Sequence, residues 1–221
     1  MIFVGVDGCP SGWVAAVFNK SDFNWYKVYQ ISELKIVLDL ANIVLLDMPI
    51  GLLTKYRPGG RVCDQLARKL LPRHKKSSIF SAPSRSVLNQ TDYDSCKRIL
   101  NREGGGISLQ SFHLLSKVRE IDSFIRSSVS AQIFEAHPEL VFQSLGLIDS
   151  PSKKSSEGRL ARMELLKKQP HKFQWPPPQG YPKEDCLDAL ALAMRAAQGN
   201  LKIVDPNPSI DSCGITMQIH Y

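Results

Sequence analysis

Two stretches of this chain are apolar or glycine at every position and then stop on a carboxylate: Ile2 to Val6 running into Asp7, and Ile43 to Leu46 running into Asp47. An uninterrupted apolar run of this length reads as a strand buried on both faces, which requires a sheet covered by helices on each side. That points to an α/β architecture and away from all-helical bundles and half-exposed antiparallel sheets. It also raises a chemical question, because each buried strand delivers an ionisable group at its tip.

The segments between the two runs set the topology. "GCPSG" is a turn, "WVAAVF" a second apolar strand, "NKSD" a hairpin connection, and "FNWYKVY" an alternating strand suited to a sheet edge. Ser32 is a candidate N-cap for a helix carrying Leu34, Val37, Leu38 and Ala41 at helical spacing. Tight turns make strands 1 to 3 antiparallel, while the helical crossover lets the strand ending at Asp47 lie parallel to strand 1. If those two strands are neighbours, Asp7 and Asp47 emerge at the same end of the sheet.

Residues 52 to 107 read as a helical and irregular insertion, with "RVCDQLARKLL" helical and "REGGG" a flexible connector. A helix resumes near Ser108, and "AQIFEAHPE" gives a further strand with Glu135 near its end and Pro138 opening the next helix. A basic helix covers about 156 to 169, and "QWPPPQGYP" is a stiff, polyproline-like link. The last helix lies between Pro182 and Gly199, and residues 200 to 221 form an irregular tail. Asp185 and Asp188 sit on one flank of it, roughly 60° apart. The expected fold is a single α/β domain over 1–221, with a mixed five-stranded sheet flanked by helices and the insertion after strand 4.

Each acid taken alone has a structural reading as a turn, a strand end or a helix first turn. Together, desolvated carboxylates repel and raise one another's pKa, an arrangement a fold tolerates when a cation occupies it. All-oxygen donor sets of Asp and Glu suit Mg²⁺ or Mn²⁺. The chain carries a net charge of +7, with basic runs at 55–76 (Lys55, Arg57, Arg61, Arg68, Lys69, Arg73, Lys75, Lys76) and 153–172. Such runs suit a polyanion such as nucleic acid, or serve as ordinary solvated helix faces. His137 reads as a hydrogen-bonding structural residue more readily than as a base. Trp175 and Tyr181 suit packing on the last helix better than base stacking. No GxSxG, GxxxxGK[ST] or GxGxxG motif is present. Five scattered cysteines without a CxxC pair fit a reduced compartment. With no long apolar run and no leader pattern, the expectation is a soluble cytoplasmic protein that does not engage membrane.

Seven motifs in order, "GVDGCPSGW", "DMPIGL", "RVCDQLAR", "SSIFSAP", "FEAHPE", "SKK" and "EDCLDALALA", span residues 5 to about 193. Through them the chain resembles the family called domain of unknown function 429, described as predicted nucleases of ribonuclease H-like fold. "EDCLDALALA" is similar to the closing helix of the Holliday-junction resolvases of that superfamily, where a D-x-x-D-A pattern binds metal. The resemblance implies that Asp7, Asp47, Asp185 and Asp188 bind metal, with Glu135 beside them as a further catalytic acid. It leaves the roles of Arg61, Asp64, Arg68 and Lys153 open. Glu184 departs from the expected second aspartate beside Asp185.

The functional expectation is therefore a Mg²⁺- or Mn²⁺-dependent nuclease or related phosphodiester-cleaving enzyme, with Arg61, Arg68 and Lys153 contacting phosphates of DNA or RNA. Two other classes are compatible with the same residues. One is a non-catalytic nucleic-acid- or protein-binding member of the fold. The other is a nucleotide-binding phosphotransferase of the actin or sugar-kinase type, which pairs two such domains. Oligomeric state is not legible, a homodimer being one option.

Overall fold

The computed structural model describes residues 1–19, 22–127, 132–148, 151–153 and 155–221. Its elements in chain order begin with β1 (Ile2–Cys9), β2 (Gly12–Asn19), β3 (Asp22–Val28), α1 (Lys35–Asp39) and β4 (Ile43–Asp47). There follow α2 (Val62–Leu70), α3 (Arg85–Leu88), α4 (Tyr93–Arg102) and α5 (Leu109–Arg126). The chain then runs through β5 (Ile133–Ala136), α6 (Pro138–Ser144), α7 (Ser156–Lys167), α8 (Lys183–Gln198) and β6 (Ile219–His220). The turn expected between β2 and β3 falls on Lys20 and Ser21, outside the described residues.

The strands form one mixed sheet in the order β3-β2-β1-β4-β5-β6. β1 pairs antiparallel with β2, and β2 with β3, while β1, β4 and β5 run parallel. The sheet has six strands where the sequence predicts five. The additional one is the two-residue β6, drawn from the tail expected to be irregular. Two residues carry no periodicity, so nothing in the sequence distinguishes such a strand from a loop.

The chain divides into two compact units. The first comprises the described residues among 1–47, 128–202 and 220–221; the second comprises those among 48–127 and 203–219. The second unit thus extends beyond the expected insertion, taking in α5 and most of the tail.

In the first unit α8 lies across β1, β2 and β4, with α6 and α7 beside it. Its residues Ala189, Ala191, Ala193 and Ala196 are fully buried. Gly5 explains how close the helix comes: a Cβ there would stand 2.0 Å from the Ala189 carbonyl oxygen and 2.3 Å from the Ala193 nitrogen. Only hydrogen at position 5 lets strand and helix backbones touch. The C-terminus of α8 is anchored by Arg195, which donates to the carbonyls of Gly199 (2.6 Å), Asn200 (2.8 Å) and Tyr221 (3.1 Å). Gly199 caps the helix and the other two acceptors lie beyond it, so the guanidinium ties the end of α8 to the segments that follow. The edge strand β3 is flanked by the proline-rich segment. Trp25 donates from its indole to the Gln174 carbonyl and packs edge-on with Trp175, and Lys27 donates to the Gly180 carbonyl. Trp175 and Tyr181 therefore pack against the core, as their spacing suggests.

In the second unit the tail is fixed by one buried carboxylate. Asp211 accepts from the backbone of Leu52 (3.0 Å), Cys213 (2.8 Å) and Ile215 (3.0 Å) and pairs with Arg85, which also bridges to Asp122. A segment with no helical or strand pattern is thereby as ordered as the elements it joins, because its polar backbone is satisfied by a charged hub. Among the described residues, no helix is long and apolar enough to cross a membrane.

Candidate metal centre

Asp7 and Asp47 stand directly opposite each other in the parallel register of β1 and β4. Paired residues on neighbouring strands project to the same face, so the two carboxylates share one side of the sheet. It is the side that Gly5, two residues before Asp7, presents to α8. That helix brings Asp188, 1 % exposed, and the partly exposed Asp185 to the same end.

The electrostatics follow from this crowding. Burial pushes the Asp7 carboxyl well above the usual carboxylate range. Repulsion from Asp47, Asp188 and Asp185 adds to the shift, and Lys153 opposes it. Asp47 is raised to about 7, chiefly by burial and then by Asp188. Both groups are hard oxygen donors held in a conflict that an added positive charge relieves.

The cations already present sit mainly on Asp188. Lys153 Nζ donates to its Oδ2 at 2.7 Å, and Arg162 Nη1 donates to its Oδ1 at 2.8 Å. The other arm of Arg162 bonds Glu139 on α6, and the guanidinium lies 4.3 Å over the Phe142 ring. Desolvation alone would lower the Lys153 pKa, but Asp188, Asp47 and Asp7 more than reverse it and the ammonium is held charged. Among the described residues, no three or more His, Cys, Asp or Glu side chains are arranged to hold a metal ion. At Asp188 each oxygen is taken by a side-chain cation. The four-acid cluster implied by the motifs thus contains two acids facing one another, a third that also bears on both, and a fourth neutralised from behind.

The remaining sequence-predicted residues fall elsewhere. Glu135 pairs in register with Leu46, not with Asp47, so its side chain takes the opposite face of the sheet from Asp7 and Asp47. The acid of "FEAHPE" that reaches the cluster is Glu139, which bears on Asp47 and pairs with Arg162. His137 caps α6, its Nδ1 accepting from the Glu139 backbone at 3.3 Å. Glu184 turns outward to Arg159 at 3.2 Å. Arg61 and Arg68 belong to the second unit. Arg61 is 1 % exposed and is spent on Asp64 and the carbonyls of Ile50 and Gly51. Arg68 donates to the carbonyls of Ile79 and Gly59 and to Ser81 Oγ, each at 2.8 Å.

Arg162 is the buried cation of the site that reading the 153–172 run as solvated conceals. The signal was available: Gly158, Arg162 and Leu166 recur every four residues on the buried stripe of α7, so one cation of the run faces inward. Removing it leaves two buried carboxylates without their shared partner. Arg162→Met is expected to cost about 3 kcal/mol, lowering the melting temperature by roughly 6–12 °C. The double variant Arg162→Met/Glu139→Gln should recover part of that loss in the same melting experiment.

A family model described as a protein of unknown function, DUF429, matches residues 5–209. The chain belongs to this family. No curated protein and no solved structure matches it. The DUF429 match spans both units, covering Asp7, Asp47, Asp185 and Asp188 in the first as well as Arg61, Asp64 and Arg68 in the second.

Proposed function

We propose that this DUF429 protein is a divalent-metal-dependent nuclease of ribonuclease H-like architecture, cleaving phosphodiester bonds of DNA or RNA. The observation that carries the reading is the in-register pair Asp7 and Asp47 at the ends of adjacent parallel strands, with α8 delivering Asp185 and Asp188 to the same face. The strand order with β1 central and α8 across it is consistent with that architecture.

In this reading Asp7 and Asp47 would be the principal ligands of Mg²⁺ or Mn²⁺, and Asp185 and Asp188, whose charges bear on both, would be the further acids available to hold it. When bound, such an ion lowers the pKa of coordinated water and stabilises the departing oxygen. The chain's own residues supply the rest. Arg162 fixes Asp188 in place, and Lys153, paired with Asp188 and with its side chain 41 % exposed, would be the cation available to a phosphate oxygen.

The test is a cleavage screen of single- and double-stranded DNA, RNA and junctions with Mg²⁺ and Mn²⁺, run beside metal-dependent melting. Metal-dependent cleavage with a raised melting temperature is the expected result. The hold of Lys153 and Arg162 on Asp188 favours a second reading, a non-catalytic nucleic-acid-binding protein. Salt-sensitive binding without cleavage and without a metal-induced shift would establish that reading and remove the first.

A further inference from the structure

The second unit carries a cavity of about 240 Å³, walled by the loops around residues 53–60, 81–84 and 106–111. That is somewhat below the ~300–1,000 Å³ of drug-sized sites, a volume for a small ligand or a terminal group. Lys55 and Arg57 line it, no carboxylate does, and among the described residues neither side chain is engaged in an ion pair. Two exposed cations of like sign thus line one concavity, while the carboxylates bonded to its walls, Glu103 at the Tyr56 nitrogen and Asp64 at the Ala82 nitrogen, are engaged by those backbone donors.

Hydroxyl bookkeeping points the same way. Ser81 Oγ accepts from Arg68 Nη2 at 2.8 Å, so its single proton is left for another acceptor. Ser108 Oγ accepts from the Ser111 nitrogen at 3.1 Å, and the two hydroxyls share one bond of 2.9 Å. One of their two protons therefore also remains to be donated. All three serines line the cavity. Two hydroxyl protons left over from these bonds, beside two exposed cations, suit an anion with several oxygens.

The walls are built to stay put. Arg68 ties the Gly59 carbonyl to Ile79 and Ser81, while Asp64 accepts from the Arg61 and Ala82 nitrogens at 2.9 and 3.2 Å. The Tyr56 nitrogen donates to Glu103 at 2.7 Å. The glycine run is part of this wall: a Cβ on Gly105 would lie 2.3 Å from the Tyr56 ring, so only glycine lets the backbone press against the aromatic face. The motif residues Arg61, Asp64 and Arg68 thus act as the frame of the cavity.

We propose that this cavity is a receptor for a phosphate monoester, presented by a small phosphorylated molecule such as a mononucleotide or by the 5′ end of a nucleic acid. A monoester carries about −1.5 to −2 charge at pH 7 and three acceptor oxygens, matching an ammonium, a guanidinium fork and two hydroxyl donors better than a carboxylate does. Tyr56 supplies an aromatic wall for whatever the phosphate is attached to. The site stands apart from the metal reading, since every lining residue lies in the second unit.

The test is calorimetry on the full chain with chelator present, so that metal plays no part. Probes are inorganic phosphate, AMP against adenosine, and a 5′-phosphorylated oligonucleotide against its 5′-hydroxyl twin. Each phosphorylated probe should bind about tenfold or more tightly than its unphosphorylated counterpart. Binding of AMP alone assigns a free ligand; binding of the phosphorylated oligonucleotide assigns a nucleic-acid end. Lys55→Ala/Arg57→Ala should lose about tenfold in affinity with an unchanged melting temperature. Ser111→Asp should do the same, because an acid is compatible with the first turn of α5 yet repels the ligand. The proposal fails if phosphorylated and hydroxyl probes bind alike, or if these variants keep wild-type affinity. It fails equally if Asp7→Asn abolishes the binding.

Discussion

Gly5→Ala is expected to cost on the order of 4–5 kcal/mol, lowering the melting temperature by more than about 10 °C. The added methyl would meet the Ala189 carbonyl oxygen at 2.0 Å and the Ala193 nitrogen at 2.3 Å, both main-chain atoms of α8. Ordinary overpacking is relieved by a rotamer change and costs about 1–3 kcal/mol. Backbone cannot turn aside, so here α8 itself must lift from β1, opening its buried alanine face and withdrawing Asp188 from Asp7. Against a total stability of roughly 5–15 kcal/mol, that removes between about a third and nearly all of it. Gly106→Ala is the control, since a Cβ there meets nothing within 4 Å; its melting temperature should stay within a few degrees of wild type. Should Gly5→Ala melt like the parent protein, helix and strand are not in backbone contact and the cluster at Asp7 loses its scaffold.

That contact also shows what the sequence could and could not disclose. The strands before Asp7 and Asp47 were legible because burial on both faces forbids polar residues, and the last helix because Pro182 and Gly199 bracket it. The helical crossover allowed the strand ending at Asp47 to lie parallel to the first, but that the two are neighbours with Asp7 opposite Asp47 comes from the strand pairing itself. Glu135 was misplaced by one position of register. An acid at the end of a strand looks alike in sequence whichever face it takes, and only the pairing of Leu46 with Glu135 decides it. The charges of the second unit were unreadable for a different reason. Arg61 and Arg68 look like solvated basic residues, and their partners Asp64, Ile50, Gly59, Ile79 and Ser81 include main-chain carbonyls, which leave no trace in side-chain pattern. The same holds for Asp211, which turns a patternless tail into an ordered segment through backbone bonds.

With metal chelated, the protein is expected to become less stable as pH rises from about 4 through about 7. Asp47 binds its proton up to about pH 7 in the folded chain but releases it near 3.8 when unfolded. Between those values the native state holds more protons than the unfolded one, so raising the pH favours unfolding. Asp7 is shifted in the same direction and adds to the slope. Asp47→Asn removes the conflict. In chelator at pH 8 it should gain on the order of 2 kcal/mol, or about 4–8 °C in melting temperature, and little at pH 4. Adding Mg²⁺ or Mn²⁺ to the parent protein should recover a similar amount at pH 8, since ion binding to the folded state alone relieves the same repulsion. Under the proposed nuclease reading, Asp7→Asn should abolish that metal response and reduce cleavage by roughly 10²–10³-fold or more while leaving the apo protein more stable, the trade expected where strain is kept for function. A destabilised Asp47→Asn at pH 8 would mean the reverse: Lys153 already satisfies the pair, the acids serve the fold, and the non-catalytic reading is the correct one.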